Sequence, residues 1–217
     1  MDEIIRNIAV FALPVLFAIT MHAAAQGYAA RYFGDNSAYA AGRVTLNPLV
    51  HIDLIGTIIV PVALYLTTGF AFGWSKPVPL DFSQLRHPKR DMAWVSLAGP
   101  LANLAMALLW LILALLLVAF DVGEEFPNKV AEAGVYVNLL LFAFSLFPLP
   151  PLDGGRIVIS LLPHRLAYQY AKVEPYGFFI MLALIYLKVL MFWVIPVMWL
   201  GKAIITLLAS PLSFLLS

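Results

Sequence analysis

The chain has 217 residues, 63% of them hydrophobic and 12% charged, with a net charge of +1 and a mean hydropathy of +0.92. Soluble domains carry about 25% charged residues, so these figures point to a lipid environment, and the near-zero charge supplies no field that would gather nucleic acid. There is no cysteine, which excludes disulfides and thiolate metal sites and leaves His, Asp and Glu as the metal-binding side chains.

A bilayer core about 30 Å thick needs roughly 20 apolar residues in a helix, so candidate spans lie in the gaps between charged residues. The first gap runs from Arg6 to Arg31, with His22 and Gln26 as its strongly polar groups and Pro14 as an expected bend. Asp2 and Glu3 precede it where a signal peptide has a basic region, and its apolar stretch is longer than a signal peptide's, so it reads as a retained segment. Next comes Tyr39–His51, YAAGRVTLNPLVH, where Gly42, the alternating Arg43-Val44-Thr45-Leu46 and the Asn47-Pro48 pair suggest a short strand or hairpin and a turn. Such a strand offers an edge to an extended peptide; an interfacial loop is the plainer reading. The second gap is Asp53–Lys76, the third Met92–Phe120, and the fourth Glu132–Asp153. From Pro175 onward the chain is apolar except for Lys188 and Lys202, with Pro196 as the expected break between two helices.

The expectation is an all-α polytopic membrane protein of about six transmembrane helices (five if the last stretch is one bent helix) with a small β-strand or hairpin element after the first helix. It would form a single domain over 1–217, since no internal repeat or linker is visible. Lys76, Arg86, Lys89 and Arg90 face one acid, Asp81, in the loop before the third segment, whereas Asp121–Glu132 holds four acids and one Lys. The positive-inside rule places the first loop in the cytoplasm and the second outside, and the N-terminus in the cytoplasm if both early segments span.

Ionisable groups at membrane depth are costly and point to function by default. His22 and Gln26, four apart, share one helix face. Asp153 follows the run Phe147-Pro148-Leu149-Pro150-Pro151-Leu152, and Gly154-Gly155-Arg156 comes after it, so a carboxylate stands beside backbone groups freed by a broken helix. Singly, each has an ordinary structural reading: His22 as a hydrogen-bonded bundle histidine, Asp153 as a helix N-cap, Gln26 as interhelical glue. A channel or transporter would need a polar path across several helices, and the intramembrane polar groups are too few for one.

Taken together, MHAAAQGYAARYFGD with AGRVTLNPLVHID, Ser96–Asn103 (SLAGPLAN) and Phe144–Arg156 resemble, in order, three motifs of the site-2 protease family of intramembrane zinc metalloproteases, and Trp74–Pro79 (WSKPVP) resembles its short bacterial type. The likeness covers roughly residues 10–165. In that family a helix carries His-Glu-x-x-His, whose two histidines bind zinc while the Glu activates water, and a later Leu-Asp-Gly supplies the third ligand. The resemblance therefore implies metal positions at His22, Gln26 (where the family has His) and Asp153, and catalytic positions at Ala23 (where the family has Glu) and Ser145 (where it often has Asn). It also implies substrate contacts at Gly99, Pro100 and Asn103, and a bacterial inner-membrane location. The expected partners are a transmembrane protein substrate or binding partner and the lipid bilayer, with no nucleic acid.

The departures fall on the chemistry. An amide is a poor replacement for imidazole on zinc, and loss of a general base alone costs roughly 10²–10⁴-fold. The expectation is a scaffold for hydrolysing transmembrane segments that binds zinc weakly or not at all and is inactive in this chain. Two origins fit: an inactivated variant of an active protease, or a natural pseudoprotease that binds membrane helices, towards which Ser145 leans. His51 is expected to be a hydrogen-bonded structural residue, and His87 and His164 surface residues.

Overall fold

The computed structural model describes residues 2–60, 62, 63, 66 and 75–212. Within these it is helical throughout. Helix α1 spans Asp2–Phe33, and its Ala-rich second half favours helix. It closes at Gly34, whose φ of +117° lets the Asp35 amide reach back to the Ala30 carbonyl at 2.9 Å, a helix ending that favours glycine. A single turn, α2 (Ser37–Ala40), follows. Helix α3 (Pro88–Ala119) starts with Pro at its first position, where no N–H is needed, and Asp91 accepts the His87 amide at 2.8 Å. Then come α4 (Glu125–Ser145), α5 (Asp153–Leu161), α6 (His164–Ala171), α7 (Glu174–Tyr186) and α8 (Met191–Ala209).

Helix α3 is the central element, packed against α1, α4, α5 and α8. Its buried residues Ser96, Gly99, Pro100, Asn103, Ala107 and Trp110 recur at intervals of one, three and four, so a single face looks into the bundle. Small residues there let helices approach closely, as packing in lipid requires. Ala107, Leu139 and Ile205 form one core cluster, and Val10, Trp110, Val130, Ala131 and Ala133 another. Outward-facing apolar side chains are large and bare: Phe192, Trp199 and Leu207 are 83%, 72% and 73% exposed. Such a surface suits hydrocarbon rather than water.

Two expectations are corrected. No β-strand exists among the described residues. The Tyr39–His51 stretch satisfies its backbone locally: Gly42 and Arg43 donate to Tyr39 and Ala38 carbonyls, and His51 donates to Pro48. Asn47 caps a 3-10 turn over Pro48–Val50 by accepting the Leu49 amide. The Val44 side chain lies against Gly27 of α1 and has no strand to pair with.

The second correction concerns the number of spans. Among the described residues three helices are long and apolar enough to cross a membrane, Ile5–Phe33, Pro88–Ala119 and Met191–Leu212, rather than six. The Glu132–Asp153 segment lies mostly in α4, whose first turns carry Glu125, Lys129 and Glu132, leaving an apolar run too short to span by itself. The C-terminal stretch does divide in two, but at Lys188, which sits at φ +58°, and α7 has only 13 residues. Pro196 lies inside α8. Residues 61, 64, 65 and 67–74 of the Asp53–Lys76 segment, Trp74 among them, fall outside the described residues; its start is a short π-helical turn, Leu54–Ile59, capped by Asp53.

Candidate functional site

Helices α1, α3, α4 and α5 meet at a buried polar cluster. His22 and Gln26 project from one face of α1, as their spacing requires. Asp153 is the first residue of α5, where the helix dipole favours a carboxylate. It reaches that place because the segment Leu146–Leu152, with a cis peptide at Pro150–Pro151, folds back onto the helix start. Gly154 and Gly155 permit this: a Cβ on Gly154 would stand 2.1 Å from the Leu146 carbonyl oxygen, and one on Gly155 2.2 Å from the Pro150 nitrogen.

His22 Nε2 lies 3.1 Å from Asp153 Oδ2, and the Gln26 side-chain amide donates to Asp153 Oδ1 at 2.6 Å. The two carboxylate oxygens thus face two side chains one helical turn apart on α1. On the other side of the ring, Nδ1 lies 2.7 Å from Asn103 Oδ1. Asn103 Nδ2 donates to the Ala18 carbonyl at 3.1 Å and to Asn138 Oδ1 at 3.2 Å, and Asn138 Nδ2 donates to the Gly134 carbonyl at 2.9 Å. Gly99 forms the wall behind His22; a Cβ there would stand 2.5 Å from Nε2.

The structure therefore brings together His22, Gln26, Asp153, Gly99 and Asn103. Pro100 is buried in α3 beside Gly99. Ala23 is buried next to His22 and carries only a methyl group. Ser145 ends α4, buried, with its hydroxyl donating to the Phe142 carbonyl at 3.2 Å. His51 is buried and its Nε2 lies 3.0 Å from the Thr45 carbonyl oxygen. His87 has an exposed side chain 3.7 Å from Asp91, and His164 is exposed at the start of α6. Sequence reasoning missed Asn138. Its signal was present: an amide inside the apolar run Val135–Phe144, which in lipid needs partners.

Catalytic zinc takes three protein ligands and keeps a fourth position open. The His22 and Asp153 donor atoms are spaced close to the about 3.3 Å ligand-to-ligand edge that a tetrahedron with zinc bonds near 2.0–2.1 Å implies. The third corner is the obstacle. Gln26 presents an N–H donor to Asp153, and an amide nitrogen bearing two protons cannot ligate. Among the described residues no group of three or more His, Asp or Glu side chains converges. The residues present do not fit a tightly held catalytic zinc.

No family model matches the chain, and no solved structure matches it. Curated proteins do. The candidate zinc metalloprotease YwhC of Bacillus subtilis is 37% identical over 180 residues, covering 79% of this chain and 78% of YwhC. The candidate zinc metalloprotease Rip2 of Mycolicibacterium smegmatis is 28% identical over 180 residues, 82% of this chain and 67% of Rip2. A third protein so named, MJ0611 of Methanocaldococcus jannaschii, is 36% identical over 64 residues, 30% of this chain and 31% of its own. Likeness at that level across most of both chains, on a helical scaffold with three membrane-length helices among the described residues, means that this membrane protein belongs to the zinc metalloprotease family of YwhC.

Proposed function

We propose that the chain is a site-2-protease-type intramembrane scaffold, multi-pass in a bacterial inner membrane, that engages a transmembrane segment of another protein and does not hydrolyse it. The observation that carries this reading is the state of α1: Ala23 stands where a general base is required, and Gln26 spends its amide on Asp153. A methyl group accepts no proton, and zinc lacks its third donor.

The test is restoration. Ala23→Glu supplies the base and Gln26→His supplies an imidazole one turn beyond His22. Neither change alone is expected to raise cleavage of a model transmembrane substrate above background; together they are expected to give about one zinc per chain and measurable cleavage. Groups that act as one unit produce that non-additive pattern. Full family-level activity in the double variant favours an inactivated protease; partial activity that rises further with Ser145→Asn favours a natural pseudoprotease. Cleavage by the unaltered chain, or stoichiometric zinc in it after mild chelation, refutes the reading.

A further inference from the structure

We infer that Asn138 and Asn103 form a directional relay that fixes which nitrogen of His22 carries a proton, and that this relay holds His22, Gln26 and Asp153 as a clasp joining four helices without a metal. The inference rests on the reading of His22 and Asp153 as the centre of the site. It concerns positioning residues, not substrate contacts.

The direction of each bond follows from its anchors. A backbone carbonyl only accepts, so the Gly134 carbonyl orients Asn138 with its nitrogen towards α4's own backbone and its oxygen towards Asn103. Asn103 then has two acceptors before its nitrogen, Asn138 Oδ1 and the Ala18 carbonyl. A side-chain amide has two N–H donors and one carbonyl, so both donors are used and the oxygen is left for His22. Turning the amide over would aim that oxygen at two other oxygens. Asn103 Oδ1 cannot donate, so the 2.7 Å contact at Nδ1 requires the proton on His22.

Nε2 is then the nitrogen that faces Asp153 Oδ2, at 3.1 Å. Gln26 closes the second arm on Oδ1. Asn103 and Asn138 are fully buried, at 0% exposure, and the Asn103 amide nitrogen already has both its acceptors. The alternative is that the two asparagines are merely interhelical glue, in which case their removal weakens the fold and leaves the ring's protonation pattern alone.

The test uses the full chain in detergent micelles with ¹⁵N-labelled histidine. The chain has four histidines, so the His22 signals are assigned by their loss in His22→Ala. The unaltered chain is expected to show a protonated Nδ1. Asn103→Leu, which removes the acceptor, is expected to move the ring to the form protonated at Nε2 alone. Asn138→Leu, which never touches His22, is expected to reduce the Nδ1–H signal by freeing Asn103 to turn. Asn103→Asp keeps an acceptor and is expected to keep the signal.

An unprotonated Nδ1 in the unaltered chain overturns the relay without any variant having to fold, and so does an Nδ1–H that persists in both leucine variants. The melting temperature of the unaltered chain is expected to be the same with chelator as with added zinc; a chelator-induced fall overturns the metal-free clasp. Cleavage of a model transmembrane substrate by the unaltered chain would defeat the proposed function and leave the relay standing.

Discussion

Gly99→Ala probes the site through one methyl group. The added Cβ would lie 2.5, 2.6 and 2.8 Å from His22 Nε2, Cε1 and Cδ2, where ordinary contact begins at 3.4 Å. The ring has to retreat by about 0.9 Å, the difference between those figures. It is held at both ends, by Asn103 at 2.7 Å and Asp153 at 3.1 Å, and a retreat of that size from Asp153 takes the contact beyond hydrogen-bond length. Overpacking costs about 1–3 kcal/mol and one lost buried hydrogen bond about 1 kcal/mol more, giving an expected loss of roughly 2–4 kcal/mol. The assay is reversible unfolding of the full chain in mild detergent followed by far-ultraviolet circular dichroism. Gly123→Ala, where nothing lies within 4 Å of the added Cβ, is the control and should fall within about 0.5 kcal/mol of the parent. A Gly99→Ala variant as stable as that control would refute the packing of His22 on α3.

Asp153→Leu removes both carboxylate oxygens and leaves the Gln26 amide and His22 Nε2 without the partner they share; a loss of about 2–3 kcal/mol is expected in the same assay, and an unchanged midpoint would contradict the two-armed clasp. At the other end of α1, hydrogen bonding and charge from Lys129, with Arg6 adding charge, hold the Glu125 carboxyl below its ordinary value of 4.5. A depressed carboxylate stabilises above its unfolded value and loses that contribution as pH falls through its folded one. Acid titration of the midpoint should therefore be flatter in Glu125→Gln, and the difference should shrink in high salt because the group is exposed; identical titrations would refute the assignment. Lys188 adopts φ +58° between α7 and α8, so Lys188→Gly should be neutral or stabilising by up to about 1 kcal/mol, whereas Lys188→Val should destabilise; the reverse order of midpoints would place the break elsewhere.

Much of this was legible in the residues. Length between charges located α1 and α3, because a bilayer sets a minimum span whatever the neighbours are, but it overcounted the spans. The four-residue spacing put His22 and Gln26 on one face, because helical periodicity is local. The broken run before Asp153 marked the start of α5, because prolines remove backbone donors and glycines admit close approach. The order of these segments carried the family resemblance, and with it the positions where Ala23 and Gln26 depart.

Tertiary structure decided the rest. Asp153 meets Gln26 across 127 residues, a pairing that depends on how α3 lets α1 and α5 approach at Gly99 and on the turn that Gly154 and Gly155 allow. Asn138 enters the site only because α4 packs against α3, and nothing within α4 marks it as more than another buried amide. The stretch Arg43–Leu46 alternates like a strand, but alternation makes a strand only when a partner edge accepts its hydrogen bonds, and here its neighbours close on themselves as turns. The split of the C-terminal stretch falls at a lysine rather than at Pro196, because a helix carries an internal proline when packing holds it, whereas a residue at positive φ ends the hydrogen-bond ladder outright. Periodicity and breakers are properties of a few consecutive residues; which faces meet, and in which direction each buried amide points, is set by all four helices at once.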